Sequence, residues 1–186
     1  AWGRVIFDGE ELIGDASHHL DAPSLQSAID AAQVSFVTRG AELDAIVVRG
    51  VDGRRSQPFE AQMTVDGGLE GDRWAHGKAC PGDQISMMNL DVAAAIANGQ
   101  SIVLFGDNLF TRLDLSAEAL PVGSQLKVGK ALLEVSEKPH VPCGQFKGRF
   151  GAAAFSAAAK DPRIRGLYLT VIKGGGIAIG DPIRLG

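Results

Sequence analysis

The apolar positions change period along the chain. In PSLQSAIDAAQVSFVTR (23–39), Leu25, Ile29, Ala32 and Phe36 recur at helical spacing, with Asp21 or Ser24 as the cap and Gly40 as the stop. From there the period shortens. LDAIVVRG (43–50) reads as a strand, and FEAQMTV (59–65) alternates, with Phe59, Ala61, Met63 and Val65 on one face. The loop GRRSQP between them predicts an antiparallel pair. GLEGDRWAHGKACPGDQ (68–84) is a long polar loop, followed by a short strand at ISMM (85–88) and a helix at LDVAAAIAN (90–98). The apolar run of SIVLFGDNLF (101–110) is broken by a Gly-Asp-Asn turn signal, and QLKVGKALLEVSE (125–137) has the pattern of a hairpin turning at Gly129-Lys130. FGAAAFSAAAK (150–160) is a short helix ended by Asp161-Pro162; LYLTVIK (167–173) and IAIGDPIRL (177–185) are strands around a glycine turn.

Short strands, closely spaced turn signals and 24 glycines predict a mainly β fold, a β-barrel with a few peripheral α-helices. The 186 residues suit one domain, with the 23–39 helix in an N-terminal extension. With 45% apolar and 22% charged residues the chain has a globular composition, and no apolar run reaches the roughly 18 residues of a membrane span. The start, AWGRVIFDGEEL, has no basic region leading into a continuous apolar core, so no signal peptide is read there. Two cysteines 63 positions apart make no disulfide framework, and a reduced, cytoplasmic setting is expected.

Charge is unevenly spread. The net formal charge of −4 argues against nucleic acid as the partner. Between Lys138 and Arg184, however, eight basic residues face only Asp161 and Asp181, a local +6 against −10 elsewhere. Either a local site for an anionic small molecule or a solvated basic face accounts for this.

Four constellations can carry chemistry. Cys143 stands between proline and glycine in KPHVPCGQF (138–146), an irregular turn of the kind that presents a cysteine, near Lys138, His140, Lys147 and Arg149, whose charge favours a thiolate if the chain folds them inward; the alternative is a free cysteine in the core. The 68–84 loop gathers Asp72, Arg73, His76, Lys78 and Asp83, either a polar site or a hydrogen-bonded surface. His76 with Cys80, and His140 with Cys143, have spacings compatible with a zinc site, in an order unlike the common finger patterns. In GDNLFTR (106–112), Asn108 and Thr111 can hydrogen-bond a polar ligand and amides near Gly106 can cradle an anion, or the segment is a plain turn.

The ordered set GLEGDRWAH, PGDQISMM, FGDNLFTRLDL, LPVGSQLKVGKALLEVSEKPHVPCGQF and RGLYLTVIKGGGIAIGDPIRL resembles the MOSC domain family, over roughly residues 43–186. The resemblance implies the MOSC (pyruvate-kinase-type) β-barrel over 43–186, with residues 1–42 as an N-terminal extension outside it. It also implies the molybdenum cofactor (molybdopterin), with Cys143 as the metal ligand in reductase-like members or as a sulfur carrier in others. His76 and Asp107 correspond to family positions and are candidates for proton handling. The family's Gly-Glu-Asn-Leu element falls on Gly106, Asp107, Asn108 and Leu109, with Asp for Glu, and here Phe110 precedes Thr111. Asn108, Thr111, Arg112, Lys147, Arg149 and Arg165 are then candidate cofactor contacts, since the cofactor carries a phosphate. Reduction of N-hydroxylated compounds would need an external electron donor, because two cysteines cannot ligate an iron–sulfur cluster. A persulfide carrier would work with a cysteine desulfurase. A non-catalytic module binding an anion or a partner protein is the third expectation.

Overall fold

The structure, a computed structural model, describes residues 3–77 and 80–186. In chain order its strands are β1 (Val5–Phe7), β2 (Glu10–Leu12), β3 (Leu43–Ile46), β4 (Val48–Arg49), β5 (Arg55–Ser56), β6 (Glu60–Thr64), β7 (Gly68–Leu69), β8 (Ile85–Asn89), β9 (Leu109–Thr111), β10 (Gln125–Val128), β11 (Ala131–Val135), β12 (Leu167–Lys173), β13 (Gly175–Ala178) and β14 (Ile183–Leu185). The α-helices are α1 (Ala22–Val34), α2 (Leu90–Ala97), α3 (Gly144–Phe150), α4 (Ala152–Lys160) and α5 (Pro162–Arg165).

Seven strands form one sheet in the order β14-β10-β11-β12-β8-β9-β3. Its two ends meet: Leu43 N donates to Asp181 O (2.9 Å), Gly180 N to Leu43 O (2.8 Å) and Ile183 N to Ala41 O (2.8 Å). These bonds bring the sheet close to a closed barrel, which leaves little open edge. The expected mainly β, barrel-like architecture is thus the one observed. All neighbours are antiparallel except β8 and β9, which are parallel and joined by a crossover through α2.

Two cores follow from the pleat. β11 and β12 place Ala131, Leu133, Val135, Leu167, Leu169 and Val171 inside the barrel. β8 is buried on both faces: Met87 fills the barrel while Met88 joins an outer core with Phe110. Helices α1, α2, α3 and α4 cover that outer face with Leu25, Ile29, Val92, Ile96, Phe146, Phe150, Ala154 and Ala158. Phe105 stacks on Phe150, centroids 4.1 Å apart. The N-terminal residues therefore share the outer core with the barrel.

Several boundaries differ from the sequence pattern. Asp21 caps α1 by accepting from Ser24 N (2.8 Å), but the helix ends at Val34 rather than running to residue 39. Val37 leaves it to donate to Arg112 O (2.9 Å), and that pairing outweighs the helical spacing of Phe36. The 43–50 strand is two strands, and it does not pair with 59–65. β3 pairs with β9, β4 with β5, and β6 with β13 and β7. In β6 only Met63 is fully buried; Phe59 and Val65 lie beyond the paired stretch and are exposed. Cys143 does not sit in an isolated irregular turn: α3 begins at Gly144, because Phe146 and Phe150 repeat at four-residue spacing into the outer core.

Candidate functional site

Polar side chains converge where β4, the 72–76 segment, the 105–108 turn, the 136–143 segment and α5 meet. Two glycines permit the approach. Gly106 (φ +81) passes so close to Arg55 that a Cβ there would lie 3.3 Å from its guanidinium. Gly166 (φ +122) lets α5 close on β8; a Cβ would strike Met87 O.

Asp72, almost fully buried, is one hub. Arg49 donates to it bidentately (Nε to Oδ1 3.0 Å, Nη2 to Oδ2 2.7 Å) and again through its backbone N (2.8 Å). Trp74 N and Asn108 Nδ2 also donate to Asp72, both at 3.1 Å. Despite burial, which pushes a carboxyl up, the Arg49 bonds hold Asp72 below its usual value. Arg49 Nη1 reaches Gly106 O (3.0 Å) and so ties this hub to the next turn.

Asp107 is the second hub, with no exposed surface. Arg165 Nη1 donates to its Oδ2 at 2.5 Å, and Arg165 Nη2 to Phe105 O at 3.1 Å. Burial raises the Asp107 carboxyl and Arg165 pulls it back. Its Oδ1 faces His140 Nδ1 at 3.5 Å, and neither atom has another partner. His140 stacks on Tyr168, centroids 4.1 Å apart. Burial first, then the charges of Arg165, Arg49 and Lys138, push His140 well below its ordinary value, so it is neutral at pH 7.

Cations are in excess. Arg55 is buried, donates to Val103 O, and forms no ion pair with a carboxylate among the described residues. Burial together with Arg149, Arg73 and Arg49 pushes its guanidinium down to about 9. Arg149, half-buried, donates to Leu104 O and Gly3 O, both at 2.8 Å. Its electrostatic neighbours are Arg165 and Cys143. Cys143 is exposed at the N-cap of α3. Beside the cluster opens a cavity of 810 Å³ whose wall includes Arg49, Arg73, Trp74, His76, Asp83 and Tyr168. A larger open cleft of 1240 Å³ runs along β6 and β13, and none of these charged residues lines it.

The structure therefore brings Asp107, Arg149 and Arg165 together, sets Cys143 within electrostatic reach of Arg149, and sets His76 on the cavity wall. Asn108 is buried and fully engaged: its Oδ1 accepts from Ser86 N (3.1 Å) and its Nδ2 also donates to Val47 O (3.2 Å). It holds the hub rather than facing the cavity. Thr111 and Arg112 are engaged elsewhere. Thr111 Oγ1 donates to Glu42 O (2.8 Å), and exposed Arg112 pairs with Asp91 of α2 (3.3 Å). Lys147 lies over Phe155, Nζ 5.8 Å from the ring centroid. Among the described residues no group of three His, Cys, Asp or Glu side chains is arranged for a metal, so His76, Cys80, His140 and Cys143 do not form the zinc set their spacing allowed. Lys78 lies outside the described residues. The pattern did not single out Arg49, Arg55 and Tyr168; Arg49 closes β4 next to Gly50 and Arg55 opens β5 two positions after Gly53, the one local signal they carry.

The MOSC domain family matches residues 84–184, just over half of the chain. The chain belongs to the MOSC domain family. The match begins after Arg49, Arg55 and Asp72, so part of the charged cluster comes from the segment preceding it. Domains of this family are associated with the molybdenum cofactor. No curated protein matches the chain. Among solved structures, YiiM from Escherichia coli is similar over 78% of this chain and 69% of its own, at 23% identity and TM-score 0.56. The YuaD protein from Bacillus subtilis is similar over 77% and 94%, at 20% identity and TM-score 0.59. YiiM from Geobacillus stearothermophilus aligns over 78% and 75%, at 18% identity and TM-score 0.53. At these identities the likeness is one of MOSC fold. Among the described residues no helix is long and apolar enough to cross a membrane.

Proposed function

We propose that this MOSC domain binds the molybdenum cofactor through Cys143 and reduces N-hydroxylated small molecules in the adjoining cavity. One observation carries the reading: an exposed thiol lies within electrostatic reach of a cluster of buried or half-buried arginines in which Arg55 forms no ion pair with a carboxylate among the described residues. The donor set fits the group. A thiolate suits a molybdenum centre already bound by sulfur, and guanidiniums in a water-poor site suit the phosphate of the pterin. Arg149 and Arg55 are the residues that would hold that phosphate, with Arg165 kept in place by Asp107.

The bound cofactor would supply a two-electron redox centre. The overall change, R–NHOH with two electrons and two protons giving R–NH2 and water, balances only with an external electron donor. The chain's own part is to hold substrate against the cavity wall and to manage protons. His76 on the wall is the side chain that would meet a bound substrate as proton donor. Asp107 Oδ1 and neutral His140 Nδ1 face each other at 3.5 Å without a hydrogen bond, and this pair would hold a proton for the reaction.

Expression in a molybdopterin-competent host followed by elemental analysis tests this. Wild-type chain should retain molybdenum and Cys143→Ser should lose it; absence of molybdenum from both refutes the reading. The exposure of Cys143 also favours a second reading, a persulfide carrier charged by a cysteine desulfurase. Gain of one sulfur atom on Cys143, seen by mass spectrometry in chain that holds no molybdenum, would support that alternative instead.

A further inference from the structure

The cavity beside the arginine cluster has an aromatic wall. Trp74 lines it, and the indole is fixed from two sides. Its Nε1 donates to Asp83 Oδ1 (2.9 Å), and its six-membered ring lies against Gly68, where a Cβ would come 3.6 Å from Cε3. Asp83 is in turn paired with Lys138, whose Nζ is 5.7 Å from the Tyr168 centroid. Tyr168, also on the wall, is fixed by its stack on His140. An indole locked by a carboxylate and backed by a glycine leaves its remaining surface to the cavity, and a rigid aromatic face of that kind costs a ligand little to use.

The charge of the wall selects further. Its carboxylates are committed: Asp83 to Trp74 and Lys138, and the adjacent Asp72 to Arg49, Trp74 and Asn108. Arg55, behind the wall, has no carboxylate of its own among the described residues, so the local field is positive. We propose that the cavity holds a subsite for a planar aromatic ring bearing an anionic group, with Trp74 as the stacking surface and specificity determinant. This deepens the reading above by naming the class of molecule the cavity takes, and it rests on that reading for the reaction but not for the binding.

Binding is therefore tested on the full chain without molybdenum. The probes are 2-naphthoate, its saturated counterpart decahydro-2-naphthoate, and neutral 2-naphthol. Affinity is read by titration calorimetry and by the amide-region NMR signal of the Trp74 indole N–H, identified by its loss in Trp74→Phe. The expected result is that 2-naphthoate moves that signal and binds about tenfold more tightly than the saturated acid, the preference that one aromatic contact supplies. Trp74→Leu should abolish the preference and Trp74→Phe retain part of it. Trp74→Phe keeps the test valid if the leucine variant fails to fold. Equal affinity for flat and saturated acids, a preference unchanged in Trp74→Leu, or no binding of 2-naphthoate overturns the stacking subsite. Binding of 2-naphthol as tight as that of 2-naphthoate overturns its anionic preference. Molybdenum retention is scored separately, so loss of the cofactor reading leaves these outcomes legible, and the converse also holds.

Discussion

Replacing Arg165 by methionine would leave the Asp107 carboxylate buried without its cation. The two side chains are 8% and 0% exposed, so water screens neither, and Arg165 supplies both the 2.5 Å bond to Asp107 and the 3.1 Å bond to Phe105 O. Methionine keeps most of the volume between Phe105 and Phe146, which confines the loss mainly to electrostatics. Breaking one partner of such a buried pair costs about 3–5 kcal/mol. The pH dependence separates this cause from a packing defect. Burial already raises the folded carboxyl above 3.8. The folded state thus binds more protons than the unfolded one above that value, and stability from this group falls as pH rises toward the folded pKa. Loss of Arg165 pushes the folded value higher and widens that window. Urea unfolding followed by circular dichroism should show the full deficit at neutral pH and a smaller one at about pH 4, where Asp107 is protonated in the folded variant. Adding Asp107→Asn should recover much of the deficit at neutral pH. A deficit below about 1 kcal/mol, or one independent of pH, would refute the account of the pair.

His140 should steepen acid unfolding: its folded value lies well below 6.5, so the unfolded chain takes up a proton that the folded one refuses, and stability falls as pH drops below about 6.5. His140→Gln should flatten that limb by up to one proton, about 1.4 kcal/mol per pH unit, measured by denaturant midpoints across pH. Gly166→Ala meets both a φ of +122 and the Met87 carbonyl, and a loss of at least about 1–3 kcal/mol in thermal unfolding is expected; a neutral result would mean that α5 can move off β8. Cys143→Ser changes an exposed atom and should leave stability within about 0.5 kcal/mol in the same assay while abolishing molybdenum retention.

Much of the barrel was legible in the chain because its signals are local. Hairpin 125–137 turns at Gly129-Lys130 with Gln125 opposite Glu134, and α2 is capped by Asn89, which accepts from Val92 N (3.0 Å). The 43–50 and 59–65 segments were misassigned as partners because neither alternation nor loop length identifies which strand a strand will meet. β6 reaches β13, more than a hundred positions downstream, and only barrel closure brings them together. Of the candidate site residues, Cys143 and Arg165 carried sequence signals, a thiol among cations and an Arg-Gly step before a strand. Thr111 and Arg112 carried an equally good one and were drawn instead to Glu42 and Asp91.

The residue types needed for a soft-metal, anion-binding chemistry, and the strand-rich pattern that displays them, are properties of the sequence, since side-chain chemistry and two-residue periodicity are written in neighbouring positions. Which cations gather was decided only by the folded chain. Arg55 and Arg149 lie 94 positions apart, and His140 meets Asp107 across 33. Such pairings depend on the closing of the barrel and on burial that no local pattern records, and burial is what turns an ordinary arginine and histidine into groups with displaced protonation.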